Sequence, residues 1–158
     1  MNSELPIPAI LWLALFPVTF IIHFAEEYWA AGGYVEYLYR LRGVRVSEKR
    51  FIFFQALGFM WFSGIALTGY LVGLPEVAIL FLSGFYFCNG ITHTATALWD
   101  RHYGPGLIAS IFLWLPLGLV SIVLMYGHIA TWEWAVAAAA GLGFNGLVAL
   151  GTMKGGKF

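Results

Sequence analysis

The strongest constraint on this chain is the recurrence of apolar stretches that are each long enough to cross a lipid bilayer. The first stretch contains no charged residue from Leu5 to Ile22. A helix that crosses the hydrocarbon core needs about 20 predominantly apolar residues. Five stretches meet this requirement and predict transmembrane helices at about residues 7–30, 51–73, 77–98, 104–126 and 131–152.

The composition is typical of a membrane protein. Of the residues, 61% are hydrophobic and 10% are charged, whereas about 25% of the residues of a soluble domain are charged. We therefore predict an all-α polytopic membrane bundle of five helices, with residues 1–158 forming a single transmembrane domain. The formal net charge of +0 gives no indication of nucleic-acid binding. The expected partners are membrane lipids and a hydrophobic small molecule.

The basic residues predict the orientation. They lie in the polar linker 31–50, at Arg101 and in the C-terminal tail; the full set is Arg40, Arg42, Arg45, Lys49, Arg50, Arg101, Lys154 and Lys157. With five spans, these three regions share one side of the membrane. Lys and Arg accumulate in cytoplasmic loops, so we expect the N-terminus outside and the C-terminus in the cytoplasm.

The first apolar stretch ends in the string His23-Phe24-Ala25-Glu26-Glu27. A charge at the bilayer centre costs about 2.5–3.5 kcal/mol on insertion scales, and such residues mark functional sites. Residues three and four apart share a helix face, so both glutamates lie near His23. Neighbouring helical residues diverge by about 100°. We therefore expect at most one of Glu26 and Glu27 to point straight into a site shared with His23.

The predicted topology places further polar residues at a similar depth. They are Gln55 in the second helix, Asn89 and His93 in the third, and Asn145 in the fifth. We expect these groups to form one polar layer on the cytoplasmic side, in which Gln55, Asn89 and Asn145 orient the reactive residues.

Two histidines and a carboxylate are the ligand set of catalytic zinc and of non-haem iron. The predicted metal ligands are His23, His93, and Glu26 or Glu27 or both, with iron or zinc as the metal. The predicted catalytic residues are Glu26 and Glu27, because a glutamate left free would serve as general base or proton shuttle. The corresponding function is a membrane enzyme, a hydrolase or an oxidoreductase, that acts on a lipid or another hydrophobic small molecule.

Several other interpretations are compatible with the same residues. A metal-free isomerase or hydrolase could use buried glutamate and histidine as acid and base. A small proton-coupled transporter or binding protein, as a monomer or a homo-oligomer, could use them as a proton path. In a purely structural interpretation, Glu27 ends the first helix and pairs with Arg40 or Arg42, and Asp100 pairs with Arg101.

The string His23-x-x-Glu26-Glu27 in a small multi-span protein resembles the family named for its HxxEE motif. Asn89-x-x-x-His93 and Tyr103-x-Pro105-Gly106 resemble further motifs of that family. The resemblance implies a small bacterial protein that crosses the inner membrane several times, and it implies that these residues form one site. It does not imply a particular reaction.

Overall fold

The structure, a computed structural model, describes residues 7–126 and 130–153, together with the side chains of these ranges except those of 138 and 148–153. The described residues form helices and turns, with no β-strand among them. The helices are α1 (Ala9–Trp29), α2 (Tyr34–Arg42), α3 (Glu48–Leu71), α4 (Pro75–Asp100), α5 (Leu107–Ala109), α6 (Leu115–Met125) and α7 (Thr131–Met153). The all-α prediction is confirmed.

Four helical segments of the described chain are long and apolar enough to cross a membrane. They are Ala9–Gly32, Glu48–Leu71, Pro75–Asp100 and Leu107–Met125. The predicted fifth span corresponds to α7, which forms a helix of 23 residues but is not among these four. Within the described part of the chain, the five-span prediction is therefore corrected to four candidate spans.

The orientation remains a prediction. The argument for a cytoplasmic C-terminus required five spans, and the tail lysines Lys154 and Lys157 lie outside the described residues. The linkers before α3 and after α4 would still lie on one side of a membrane that α3 and α4 both cross, because two candidate spans separate them. The assignment to the bacterial inner membrane is likewise untested.

The linker between the first two spans contains the short helix α2. This helix begins after Gly33 and ends at Gly43, whose φ of 65° places it in the left-handed region. Glycine enters that region at little cost and commonly ends helices. The following helix, α3, is capped by Ser47, whose hydroxyl accepts a hydrogen bond from the Arg50 N–H. These signals confine α2 to a short segment that lies against the ends of the spans.

The core forms around α4, which contacts α1, α3, α6 and α7. Large aromatic side chains fill the space between these helices; Phe16, Phe62, Tyr86 and Trp114 are all at most 1% exposed. The Phe16 and Tyr86 rings meet edge to face with their centroids 5.1 Å apart. Aromatic pairs prefer such arrangements, so the packing fixes α1 and α4 relative to one another.

The fourth span changes its helical geometry partway along. Residues Ser110–Trp114 form a π-helical turn between α5 and α6. Pro116 follows in the first turn of α6, and it has no N–H to donate. The change of helical geometry therefore lies just before the residue that cannot donate a helical hydrogen bond. The π-helical turn carries Trp114 into the core.

A buried hydrogen bond between α1 and α4 permits a test of this packing. The Tyr86 hydroxyl donates to the Phe16 carbonyl oxygen at 2.6 Å. Tyr86→Phe should lower the free energy of unfolding by about 1 kcal/mol, since it removes this bond but keeps the ring. Unfolding titrations in mixed micelles measure the change. Tyr70→Phe is the control because Tyr70 is 45% exposed; equal destabilisation by both changes would contradict the proposed packing.

Candidate metal centre

The centre of the candidate site is a cluster of three side chains, His23, Glu27 and His93, which we call the ligand cluster. His23 and Glu27 are one turn apart on α1 and are 2% and 4% exposed. His93 approaches from α4. One donor atom from each residue lies within 4.8 Å of the other two, so the cluster could hold a metal ion. The structure thus brings together both histidines and one of the two glutamates that the sequence predicts as metal ligands.

Two of the three separations within the cluster resemble those between neighbouring metal ligands. Glu27 Oε1 lies 3.5 Å from His23 Nε2 and 3.6 Å from His93 Nε2. A nitrogen–oxygen hydrogen bond is typically 2.7–3.2 Å long. Neighbouring ligand atoms around a tetrahedral ion with bonds of about 2.1 Å are about 3.4 Å apart. The three donor atoms all lie within 4.8 Å of one another, a wider spread than in a tetrahedral set.

The second carboxylate oxygen of Glu27 is held by a residue of α3. Gln55 Nε2 donates a hydrogen bond to Glu27 Oε2. This contact leaves Oε1 facing the two histidines. Partners of this kind orient metal ligands, and the sequence predicts that role for Gln55.

The imidazole of His23 is fixed by aromatic packing. Its ring stacks on Trp114, with centroids 3.8 Å apart and an angle of 26° between the planes. The His93 ring meets it edge on at 4.8 Å. His23 Nδ1 is buried and has no hydrogen-bond partner among the described residues. Sequence reasoning missed Trp114, because an aromatic residue in an apolar helix carries no signal of a distant contact.

A short turn, Tyr103–Gly106, lies against the ligand cluster, and we call it the covering turn. Gly106 has a φ of +89°, which glycine adopts readily. A Cβ atom at this position would lie 2.7 Å from His23 Cε1, 2.9 Å from His93 Cε1 and 3.0 Å from Glu27 Cγ. The site therefore requires a residue without a side chain at position 106.

Glu26 lies outside the ligand cluster. Its Oε1 accepts hydrogen bonds from the Tyr103 hydroxyl at 2.5 Å and from the Ile108 N–H at 2.9 Å. Its Oε2 accepts one from the Ala109 N–H at 2.6 Å. The expectation that only one of the two glutamates faces the site with His23 agrees with this arrangement. Both oxygens of Glu26 are used as acceptors, an arrangement that does not favour the predicted role as general base.

The other two residues predicted to orient the ligands have different environments. Asn89 lies one turn before His93 on α4 and is half-buried. Asn145 Nδ2 donates to the carbonyl oxygens of Phe85 and Gly141, at 3.2 and 2.9 Å. Phe85 precedes His93 by about two turns, roughly 12 Å along α4. Asn145 thus joins α7 to α4 away from the cluster, and α7 contributes no polar group to the predicted layer through this residue.

The structural interpretation of Glu27 does not agree with the observed ion pairs. Arg42 pairs with Asp100 at 2.8 Å, and Arg40 lies 3.6 Å from Glu36. The partner of Asp100 is therefore Arg42 and not Arg101. Tyr37 also donates to Asp100 at 2.8 Å. Burial is the larger cause, and this hydrogen bond the next, of a rise in the pKa of Tyr37 to about 12.

Tyr34 of α2 lies beside the cluster, at a position that no sequence motif indicated. Its ring centroid is 6.4 Å from that of His93. The pKa of the Tyr34 hydroxyl is raised well above its usual range. Burial is the main cause, and the nearby Glu27 carboxylate is a further one. Tyr34 therefore presents a neutral phenol near the ligand cluster at ordinary pH.

Comparison with known proteins gives one match. A family described as "Protein of unknown function with HXXEE motif" matches residues 14–121, and this range contains the ligand cluster, Glu26 and the covering turn. No curated protein and no solved structure matches the chain. Because the match covers more than half of the 158 residues, the chain belongs to the HXXEE family.

Proposed function

We propose that this protein is a membrane-embedded, metal-dependent enzyme that acts on a lipid or another hydrophobic small molecule. His23, Glu27 and His93 would hold the metal ion. The observation that carries the proposal is the geometry of the ligand cluster: Glu27 Oε1 lies 3.5 and 3.6 Å from the two histidine nitrogens. Two histidines and one carboxylate form the protein ligand set of zinc hydrolases and of non-haem iron oxygenases.

The electrostatics of Glu27 also favour a cation at this position. The side chain is 5% exposed, and its hydrogen-bond donor, Gln55, is neutral. A buried carboxylate is costly unless it is paired or coordinates a metal. The basic residues nearest in the sequence, Arg40 and Arg42, pair with other acids. A divalent cation between Glu27 and the histidines would provide a positive charge that compensates the buried carboxylate.

The surrounding residues have separate tasks in this proposal. A bound zinc or iron ion would polarise a carbonyl or phosphoryl group of the substrate. Gln55 holds Glu27 in the ligand orientation, and Trp114 holds the His23 ring. The neutral phenol of Tyr34, whose ring centroid lies 6.4 Å from that of His93, would serve as a hydrogen-bond donor to a bound substrate. Glu26 is left out of the acid–base chemistry, because its two oxygens accept three hydrogen bonds elsewhere.

The location of the cluster supports a hydrophobic substrate. His23 and Glu27 belong to the segment Ala9–Gly32, and His93 belongs to Pro75–Asp100; both segments are apolar enough to cross a membrane. Bulky apolar side chains are exposed near the ends of these segments, among them Trp29 at 73% and Trp99 at 85%. Tryptophan is enriched at membrane interfaces. A lipid-like molecule could therefore approach the cluster from the bilayer.

Metal analysis of the purified protein tests the proposal. We expect near-stoichiometric iron or zinc in the wild-type protein, both in detergent and in native membrane discs. Removal of the ion by a chelator should lower the unfolding temperature by several degrees, because a ligand that binds only the folded state stabilises it. Re-addition of the ion should restore the temperature. Protein that is free of metal in both preparations, and insensitive to added iron and zinc, would contradict the proposal and favour metal-free acid–base chemistry.

A further inference from the structure

We infer that Glu26 is a positioning residue, which holds the covering turn Tyr103–Gly106 against the ligand cluster. This inference rests on the proposed function, because it assigns a task around the same metal site. The two adjacent glutamates of the HXXEE motif then have different tasks. Glu27 faces the histidines, whereas Glu26 fixes the backbone that closes one side of the cluster.

The helix that follows the covering turn begins at Leu107. The first N–H groups of a helix have no partner within it. They are usually satisfied by the side chain of the capping residue, which accepts from the second or third helical N–H. Here the capping residue is Gly106, which has no side chain and makes no such bond. The N–H groups at the second and third positions belong to Ile108 and Ala109.

Residue 106 is a glycine because the ligand cluster leaves no room for a side chain there. Any Cβ at residue 106 would lie within 3.0 Å of atoms of all three cluster residues. A serine or aspartate, the usual capping residues, would therefore collide with the cluster. The chain cannot cap this helix from its own capping position while it also keeps the turn close to the ligands.

Glu26 takes the place of the missing side-chain cap at the start of this helix. Its carboxylate reaches across from α1 and accepts both N–H groups, at 2.9 Å from Ile108 and 2.6 Å from Ala109. The Tyr103 hydroxyl, at the other end of the covering turn, donates to the same carboxylate at 2.5 Å. Glu26 thus fixes the residues on both sides of Gly106. Since Glu26 directly precedes Glu27 in the chain, the contact sets the position of the turn relative to a ligand.

Cobalt binding to Glu26→Gln tests this role. Co²⁺ replaces zinc in many sites and reports ligand geometry through its visible absorption. The amide oxygen can accept one of the two N–H groups, whereas the amide nitrogen cannot accept the other. We expect Glu26→Gln to bind one Co²⁺ per chain with about 10-fold weaker affinity and an altered absorption spectrum. Glu36→Gln is the matched control, because Glu36 is an exposed glutamate of α2.

Three outcomes separate the two proposals. A wild-type protein that binds no Co²⁺, iron or zinc overturns the metal site itself. A Glu26→Gln protein with wild-type affinity and spectrum overturns the positioning role alone. Complete loss of Co²⁺ from Glu26→Gln, equal to the loss in Glu27→Gln, would make Glu26 a ligand and also overturn it. If Glu26→Gln does not fold, Tyr103→Phe removes one of the three hydrogen bonds and should shift the spectrum in the same direction by a smaller amount.

Discussion

His23→Ala should reduce the metal content of the purified protein from near one ion per chain to background. The change removes one of the three proposed protein ligands, and the two that remain would not enclose an ion. Loss of a residue that merely orients a ligand weakens metal binding about 10–100-fold. Loss of the ligand itself should weaken binding by more than about 100-fold and abolish metal-dependent activity. His93→Ala should have the same effect, because both histidines face the same oxygen of Glu27.

Elemental analysis of the membrane-purified variants provides the measurement, and His102→Ala provides the control. His102 follows α4, and its ring nitrogen contacts the Asp100 carbonyl group, so this change also removes an imidazole but leaves the ligand cluster intact. It should retain the wild-type metal content. Retention of stoichiometric metal by both His23→Ala and His93→Ala would contradict the assignment of the ligands, even if the wild-type protein contains metal.

Gly106→Ala should also abolish metal binding, although residue 106 donates no ligand. The new methyl group would lie 2.7 Å from His23 Cε1 and 2.9 Å from His93 Cε1, so the two rings or the turn would have to move. Overpacking of this kind costs about 1–3 kcal/mol, and a left-handed backbone adds about 1–2 kcal/mol for a residue with a side chain. We expect the free energy of unfolding to fall by about 2–5 kcal/mol.

The contribution of the clash can be separated from that of the backbone. Gly43 also has a positive φ, +65°, and a Cβ at that position would meet no atom within 4 Å. Gly43→Ala should therefore show only the backbone cost, with unchanged metal content and Co²⁺ spectrum. The measurements are unfolding titrations and metal analysis of both variants. If Gly106→Ala and Gly43→Ala behave alike in both measurements, the covering turn does not lie against the ligands as described.

Hydropathy predicted the helical architecture because a bilayer imposes a length on apolar segments. The end of the short helix α2 was also predictable, since Gly43 in the polar linker 31–50 is a typical helix stop. The number of spans was less predictable than the helical architecture. Helix α7 is close in length to α1, α3 and α4, and length alone does not distinguish a span from a helix that packs against α4.

The ligand cluster was predictable where spacing along a helix decides proximity. The separation of His23 and Glu27 by four residues places both on one face, and matching depth brought His93 and Gln55 to the same level. The task of Glu26 depends on contacts with residues about 80 positions later in the chain. No periodicity reports such contacts. The motif Tyr103-x-Pro105-Gly106 was a signal that this segment matters, but it did not reveal what the segment touches.

The π-helical turn has a mechanical consequence. The fourth span is joined to α1 at two distant places: the Glu26 carboxylate holds its beginning, and the Trp12 side chain donates to Ser121 Oγ near its end, at 2.8 Å. Between these two places the π-helical turn is also bonded to α1, because Trp114 Nε1 donates to the Thr19 carbonyl oxygen at 3.4 Å. Sliding or rotation of the fourth span against α1 would therefore break contacts along its whole length. Since Trp114 stacks on His23, such a motion would also disturb a proposed metal ligand.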